Sequence, residues 1–109
     1  FSLAYPEKSS NWTNRFQMFA TENMWTFILL DSYNGRLWQV QYSTQDLDNL
    51  FCIPINKYEL VENNERCIFS IQPLTSMYQY YLINDNTGDM WKFQWSTKGD
   101  DYRWIERFR

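Results

Sequence analysis

A chain of 109 residues, 44% hydrophobic and 20% aromatic, carries enough apolar mass for one packed core. That excludes a disordered segment and leaves no room for a scaffold with a separate catalytic domain. The net charge of -3 and the pI of 4.8 argue against nucleic acid as a partner, because affinity for phosphate backbones rests on clustered Lys and Arg. No apolar run approaches the roughly 20 residues of a membrane-spanning helix.

In chain order, residues 1–14 (FSLAYPEKSSNWTN) lack both helical and strand periodicity and read as an N-terminal arm. The chain begins at Phe1 rather than Met, so its N-terminus reads as trimmed and any export signal as already removed. Residues 15–56 follow as a first unit. Its segments RFQMFA, MWTFILLD, RLWQVQYS and LFCIPI are rich in β-branched and aromatic residues and are separated by turn formers, so four strands are expected. TQDLDNL could add one helical turn. The polar, acidic stretch KYELVENNE reads as a connection. A second unit, 66–109, repeats the plan with IFSIQP, MYQYYLIN, MWKFQWS and YRWIERF.

The two units say nearly the same thing at a fixed offset of 53 residues: Arg15 to Thr44 lies without a gap over Ile68 to Thr97, with eight of thirty columns identical. The shared residues, among them Phe16/Phe69, Leu29/Leu82, Gly35/Gly88, Trp38/Trp91 and Gln41/Gln94, are packing and turn residues rather than reactive ones. Such a period marks one supersecondary unit used twice.

The loops DSYNGR and NDNTGD set which side chains share a face. A four-residue loop places Gly35 and Gly88 at the left-handed last position and pairs Asp31 with Arg36 and Asn84 with Asp89. Leu29 then opposes Trp38, Phe27 opposes Val40 and Trp25 opposes Tyr42. In the second unit Leu82 opposes Trp91, Tyr80 opposes Phe93 and Tyr78 opposes Trp95. A three-residue loop would slip the register by one and split the aromatics between faces. The aromatic faces are therefore expected to form the core. The other face carries Thr26, Ile28, Leu30, Leu37, Gln39 and Gln41 in the first unit, and Gln79, Tyr81, Ile83, Met90, Lys92 and Gln94 in the second. It reads as an outer face, apolar near the loops and polar away from them. The expectation is an all-β domain, 15–109, of two pseudo-equivalent four-stranded antiparallel units packed as a sandwich or partly closed barrel with approximate twofold symmetry.

The string Leu-Leu-Asp-x-x-Asn-Gly-x-x-Trp, echoed as Leu-Ile-Asn-x-x-Thr-Gly-x-x-Trp, resembles a β-propeller blade motif and is similar to the tryptophan-docking motif of quinoprotein dehydrogenases, with Trp three positions after Gly instead of four. A closed propeller needs at least about four blades, so that likeness extends to the hairpin. Through W-x-V-Q-Y-S-T and W-x-F-Q-W-S-T the chain as a whole resembles small bacterial two-repeat all-β proteins, often exported. That resemblance implies a fold and no chemistry. It favours the periplasm or cell surface, with the cytoplasm as the alternative.

Catalytic groups are scarce. Without His the chain lacks the commonest general base and metal ligand, and its two Cys cannot form a structural zinc site alone. The one formal carboxylate pair, Asp31 with Glu22, is discounted because Asp31 has a sufficient role in its turn. The pairs Asp46/Asp48 and Asp100/Asp101 could bind calcium but read as solvated loop charges. No enzyme activity, cofactor or metal is expected. Cys52 and Cys67 flank a polar stretch and are either a hairpin disulfide or two buried thiols. Asn11-Trp12-Thr13 is a sequon, relevant only in a eukaryotic secretory route.

The functional signal left is aromatic: Trp12, Tyr33, Tyr58 and Tyr102, with Tyr81 on the outer face. Trp12 and Tyr102 either cover the ends of the core or serve as anchors. The expectation is a non-catalytic binding module. A protein partner, or a second copy in a homodimer, would use the outer face around Leu37, Tyr81 and Met90, together with the aromatic loops. The alternative is a carbohydrate-binding module stacking sugars on Trp12, Tyr33 or Tyr102. Gln41 and Gln94 either read a ligand or pair across strands.

Overall fold

The computed structural model describes residues 15–42, 50–61 and 68–109. The N-terminal arm with Trp12, most of the expected helical turn, Asp46, Asp48, and Cys67 lie outside the described residues. The strands are β1 (Phe16–Ala20), β2 (Thr26–Asp31), β3 (Arg36–Gln41), β4 (Phe51–Pro54), β5 (Phe69–Pro73), β6 (Gln79–Asn84), β7 (Met90–Gln94) and β8 (Trp104–Arg107), with a 3-10 turn at Asp100–Tyr102. They form two antiparallel four-stranded meanders, β1-β2-β3-β4 and β5-β6-β7-β8, packed on each other without closing into a barrel.

The register follows from the loops. Gly35 (φ 82°) and Gly88 (φ 78°) take the left-handed last position of four-residue turns. Each amide reaches back to the strand end, Gly35 N–H to the Asp31 carbonyl (2.9 Å) and Gly88 N–H to that of Asn84 (2.7 Å). The Asp31 and Asn84 side chains accept further loop amides: Tyr33 N–H at 3.1 Å, and Asn86 and Thr87 N–H at 2.9 and 3.2 Å. Leu29 then faces Trp38 and Phe27 faces Val40, as Leu82 faces Trp91 and Tyr80 faces Phe93. The offset of 53 extends to the edge strands: Phe16↔Asp31 matches Phe69↔Asn84, and Val40↔Cys52 matches Phe93↔Ile105. The two sheets are one pattern, residue for residue.

Their burial is not the same. The second sheet turns its aromatic face inward, burying Phe69, Tyr80, Leu82, Trp91, Phe93 and Trp95. The first sheet packs on it with the opposite face, burying Thr26, Ile28, Leu30, Leu37 and Gln39 at 0% exposure. This corrects the expected aromatic-to-aromatic twofold. Leu37 and Leu30 are core residues and not part of an outer face, while Phe27, Trp38 and Tyr42, expected in the core, are only half-buried; Trp25 and its counterpart Tyr78, also expected in the core, are both exposed at the sheet ends. The reason lies in shape: medium aliphatic side chains nest between bulky rings, where two ring-lined faces would hold each other apart.

Gln39, a polar side chain buried between the sheets, is satisfied. Gln39 Nε2 donates to the Ser96 carbonyl (2.9 Å), and its Oε1 accepts the Ser96 N–H (3.1 Å). Arg103 reinforces the seam by donating to the Ser96 carbonyl (2.9 Å) while its other end reaches Asp100 (2.6 Å). Near the loops Ile68 and Phe69 N–H both donate to the Ser32 carbonyl (3.0 and 3.1 Å), and Leu60 N–H to that of Asn34 (2.9 Å). The described start of the connection is packed, with Leu60 and Val61 against the core.

Candidate interaction face

Because the first sheet packs through its aliphatic face, its aromatic face is left outside. β1 contributes Phe16 (55% exposed) and Met18 (56%), and the turn before β2 contributes Trp25 (36%). Half-buried Phe27, Leu29, Trp38 and Val40 join these into one apolar sheet surface, bordered by exposed Cys52 and Pro54 of β4. The rings order each other: Trp25 meets Tyr42 edge-on at 5.3 Å, Phe27 stacks on Tyr42 at 5.9 Å and Phe16 tilts on Trp38 at 6.4 Å. Single exposed apolar residues are ordinary on protein surfaces; here several adjoin on one face of the sheet.

Two cations frame the loop end. Arg15 donates to both Asp31 oxygens, Nε at 3.0 and 3.2 Å and Nη2 at 3.0 Å, against a carboxylate whose side chain is 4% exposed. That hydrogen bond raises the Arg15 pKa, and the guanidinium lies over the rings of Phe16 (5.2 Å) and Tyr33 (5.0 Å). Arg36 covers Trp38 at 5.1 Å. Tyr33 thus lies half-buried under Arg15, at the rim of the face. Cys52 is a free thiol on the same face, with its pKa pushed up by partial burial.

The other expected site residues lie elsewhere. Tyr81 and Met90 are half-buried on the outer face of the second sheet, where Tyr81 meets Phe108 edge-on at 5.5 Å. Tyr102 (51% exposed) stands under Lys98 Nζ (5.5 Å) beside a shallow groove of about 210 Å3 that it shares with Ser76, Tyr78 and Gln94. Tyr58 is 72% exposed. The repeated glutamines pair across strands, Gln41 accepting from Thr26 Oγ1 (2.9 Å) and Gln94 from Gln79 Nε2 (2.8 Å). Asp100 is held by Arg103, whose hydrogen bond pulls its carboxyl below the usual range. No three His, Cys, Asp or Glu side chains converge among the described residues.

Phe16 and Met18 are the site residues that sequence reasoning missed. Their counterparts Phe69 and Ile71 pack in the core, so nothing in the repeat pattern distinguishes them. Compared with known proteins, the chain matches no family model, no curated protein and no solved structure.

Proposed function

We propose that this domain is a non-catalytic interaction module that binds protein through the outer aromatic face of its first sheet. The observation that carries the reading is the continuous apolar surface with Phe16, Met18 and Trp25 exposed on it. Large rings and thioethers over a rigid sheet, bordered by arginines, match the composition of protein-interface hot spots. The resemblance to small bacterial two-repeat proteins, often exported, supports the periplasm or cell surface as the place where such a module works, with the cytoplasm as the alternative. A selection of displayed peptides tests it: binders should lose affinity at least tenfold against Met18→Glu and Phe16→Glu and keep it against Tyr102→Ala. Binders indifferent to Met18 and Phe16 would refute this use of the face.

A second reading rests on Tyr102, an exposed ring beside Gln94 and the 210 Å3 groove, which suits stacking of a sugar face. Sugar-dependent tryptophan quenching on a glycan array hit, abolished in Tyr102→Ala and intact in Met18→Glu, would favour carbohydrate over protein.

A further inference from the structure

We infer that the protein partner of the first sheet's outer face is the second sheet of another copy of this chain, stacked head to tail; this deepens the protein-binding reading above and rests on it. The template is inside the molecule. The existing sheet-to-sheet interface joins unlike faces: the aliphatic face of one pattern seats on the aromatic face of the same pattern, 53 residues later in sequence. An interface between unlike faces of a repeated unit leaves one face of each kind unused at the two ends.

Both unused faces are present. On the first sheet, Phe27, Leu29 and Trp38 occupy the columns that Tyr80, Leu82 and Trp91 fill in the core. On the second sheet, Tyr81, Ile83 and Met90 are half-buried in the columns that Ile28, Leu30 and Leu37 fill at 0% exposure. The match is in kind at Ile83 and Met90, aliphatic side chains in the columns of Leu30 and Leu37, while Tyr81, packed edge-on against Phe108, adds a ring in the column of Ile28. Continuing the internal interface brings the second sheet of one copy onto the first sheet of the next.

Several columns change at the new junction: Gln79 stands for Thr26, Tyr81 for Ile28, Met90 for Leu37 and Lys92 for Gln39, while Val40 and Tyr42 stand for Phe93 and Trp95. Lys92 stands in the column of Gln39, so an ammonium replaces the amide that bonds Ser96. It would approach a face lined by Trp25, Phe27 and Tyr42, whose ring faces attract a cation. The arrangement also differs from a twofold dimer: neither outer face is complementary to itself, so association does not stop at two copies unless one end is blocked.

Sedimentation of the 109-residue chain from micromolar to millimolar concentration tests this, with two blocked forms. Met18→Glu disables the first-sheet face at a 56% exposed position; Lys92→Glu with Phe108→Asp disables the second-sheet face, and Tyr81→Asp is its substitute if that pair folds poorly by near-UV circular dichroism. The expected result is concentration-dependent growth beyond dimers for the parent, a monomer for each blocked form alone, and a 1:1 heterodimer when the two are mixed. A parent that stays monomeric throughout overturns the inference, and peptide binding lost in Met18→Glu would then still uphold the interaction face. A form blocked on the second sheet that dimerises by itself, with no heterodimer on mixing, overturns it in favour of a twofold contact between first-sheet faces.

Discussion

Trp38 and Trp91 form a comparison built into the chain: the same residue, in the same column, opposite leucines in the same register, yet one is half-buried outside and the other 7% exposed in the core. Replacing Trp91 with alanine removes a ring packed on Phe69 (5.7 Å) and opens a cavity between the sheets, at a cost of about 3–5 kcal/mol. Replacing Trp38 removes its contact with Phe16 and the Arg36 guanidinium over it, contributions of about 0.5–1.5 and 0.5–1 kcal/mol, and leaves no enclosed void. Trp38→Ala should therefore cost about 1–2 kcal/mol. With the urea slope of roughly 1–3 kcal/mol per molar expected of a small domain, the two midpoints should differ by about 1 M. The assay is urea unfolding followed by far-UV circular dichroism, which does not depend on either indole, at a concentration low enough to keep the chain monomeric. Equal midpoint shifts at unchanged slope would falsify the unlike-face packing, since a core built from both aromatic faces makes the two tryptophans equivalent.

Two more paired substitutions probe the same asymmetry. A Cβ on Gly35 would meet Leu60 Cδ1 and Phe69 Cζ at 3.0 Å, whereas one on Gly88 meets nothing within 4 Å, and both glycines have positive φ. Gly88→Ala should thus lose only the roughly 1–2 kcal/mol of left-handed strain and Gly35→Ala at least about 1 kcal/mol more, read as the difference in melting temperature; equal losses would mean that the Phe69 ring does not press on the first loop. Gln39→Leu strands the buried Ser96 N–H and should cost about 1–3 kcal/mol with faster hydrogen exchange at that amide. Gln94→Leu, on the outer face of the second sheet, should cost less than about 1 kcal/mol, and a Ser96 amide that stays protected in Gln39→Leu would count against the inter-sheet bond.

The strands, their pairing and their turns were legible because two local signals agree. Asp31 and Asn84 open loops that Gly35 and Gly88 close, and the alternation of large side chains fits one register only. The choice of face in the first sheet was not legible. Ile28, Leu30 and Leu37 are as apolar as Phe27, Leu29 and Val40, and what marks their face as outer is Gln39 and Gln41, in the same columns as Lys92 and Gln94 of the second sheet. Assuming that matching columns have matching surroundings then selects the wrong side for the first sheet. The residue that reverses the choice is Gln39, polar and fully buried, and its partner Ser96 lies in the other unit, beyond the reach of any local pattern. The same assumption hid Phe16 and Met18, whose exposure follows from tertiary packing alone.

The glutamine, the glycines and the tryptophans belong to a seam in which each unit presents a different side to its neighbour, and that has a consequence for how such a gene changes over time. A twofold sandwich is complete with two halves, and a tandem duplication of either half would produce a sheet with nothing complementary to settle on. Here a third unit copied at the same 53-residue spacing would meet, at either end of the pair, a sheet face in the same columns as one side of the existing interface. Loss of a unit would instead leave Ile28, Leu30 and Leu37, or Tyr80, Leu82 and Phe93, without the sheet that covers them. An insertion or deletion of one residue within a strand would swap its two sides and set the wrong one against its neighbour.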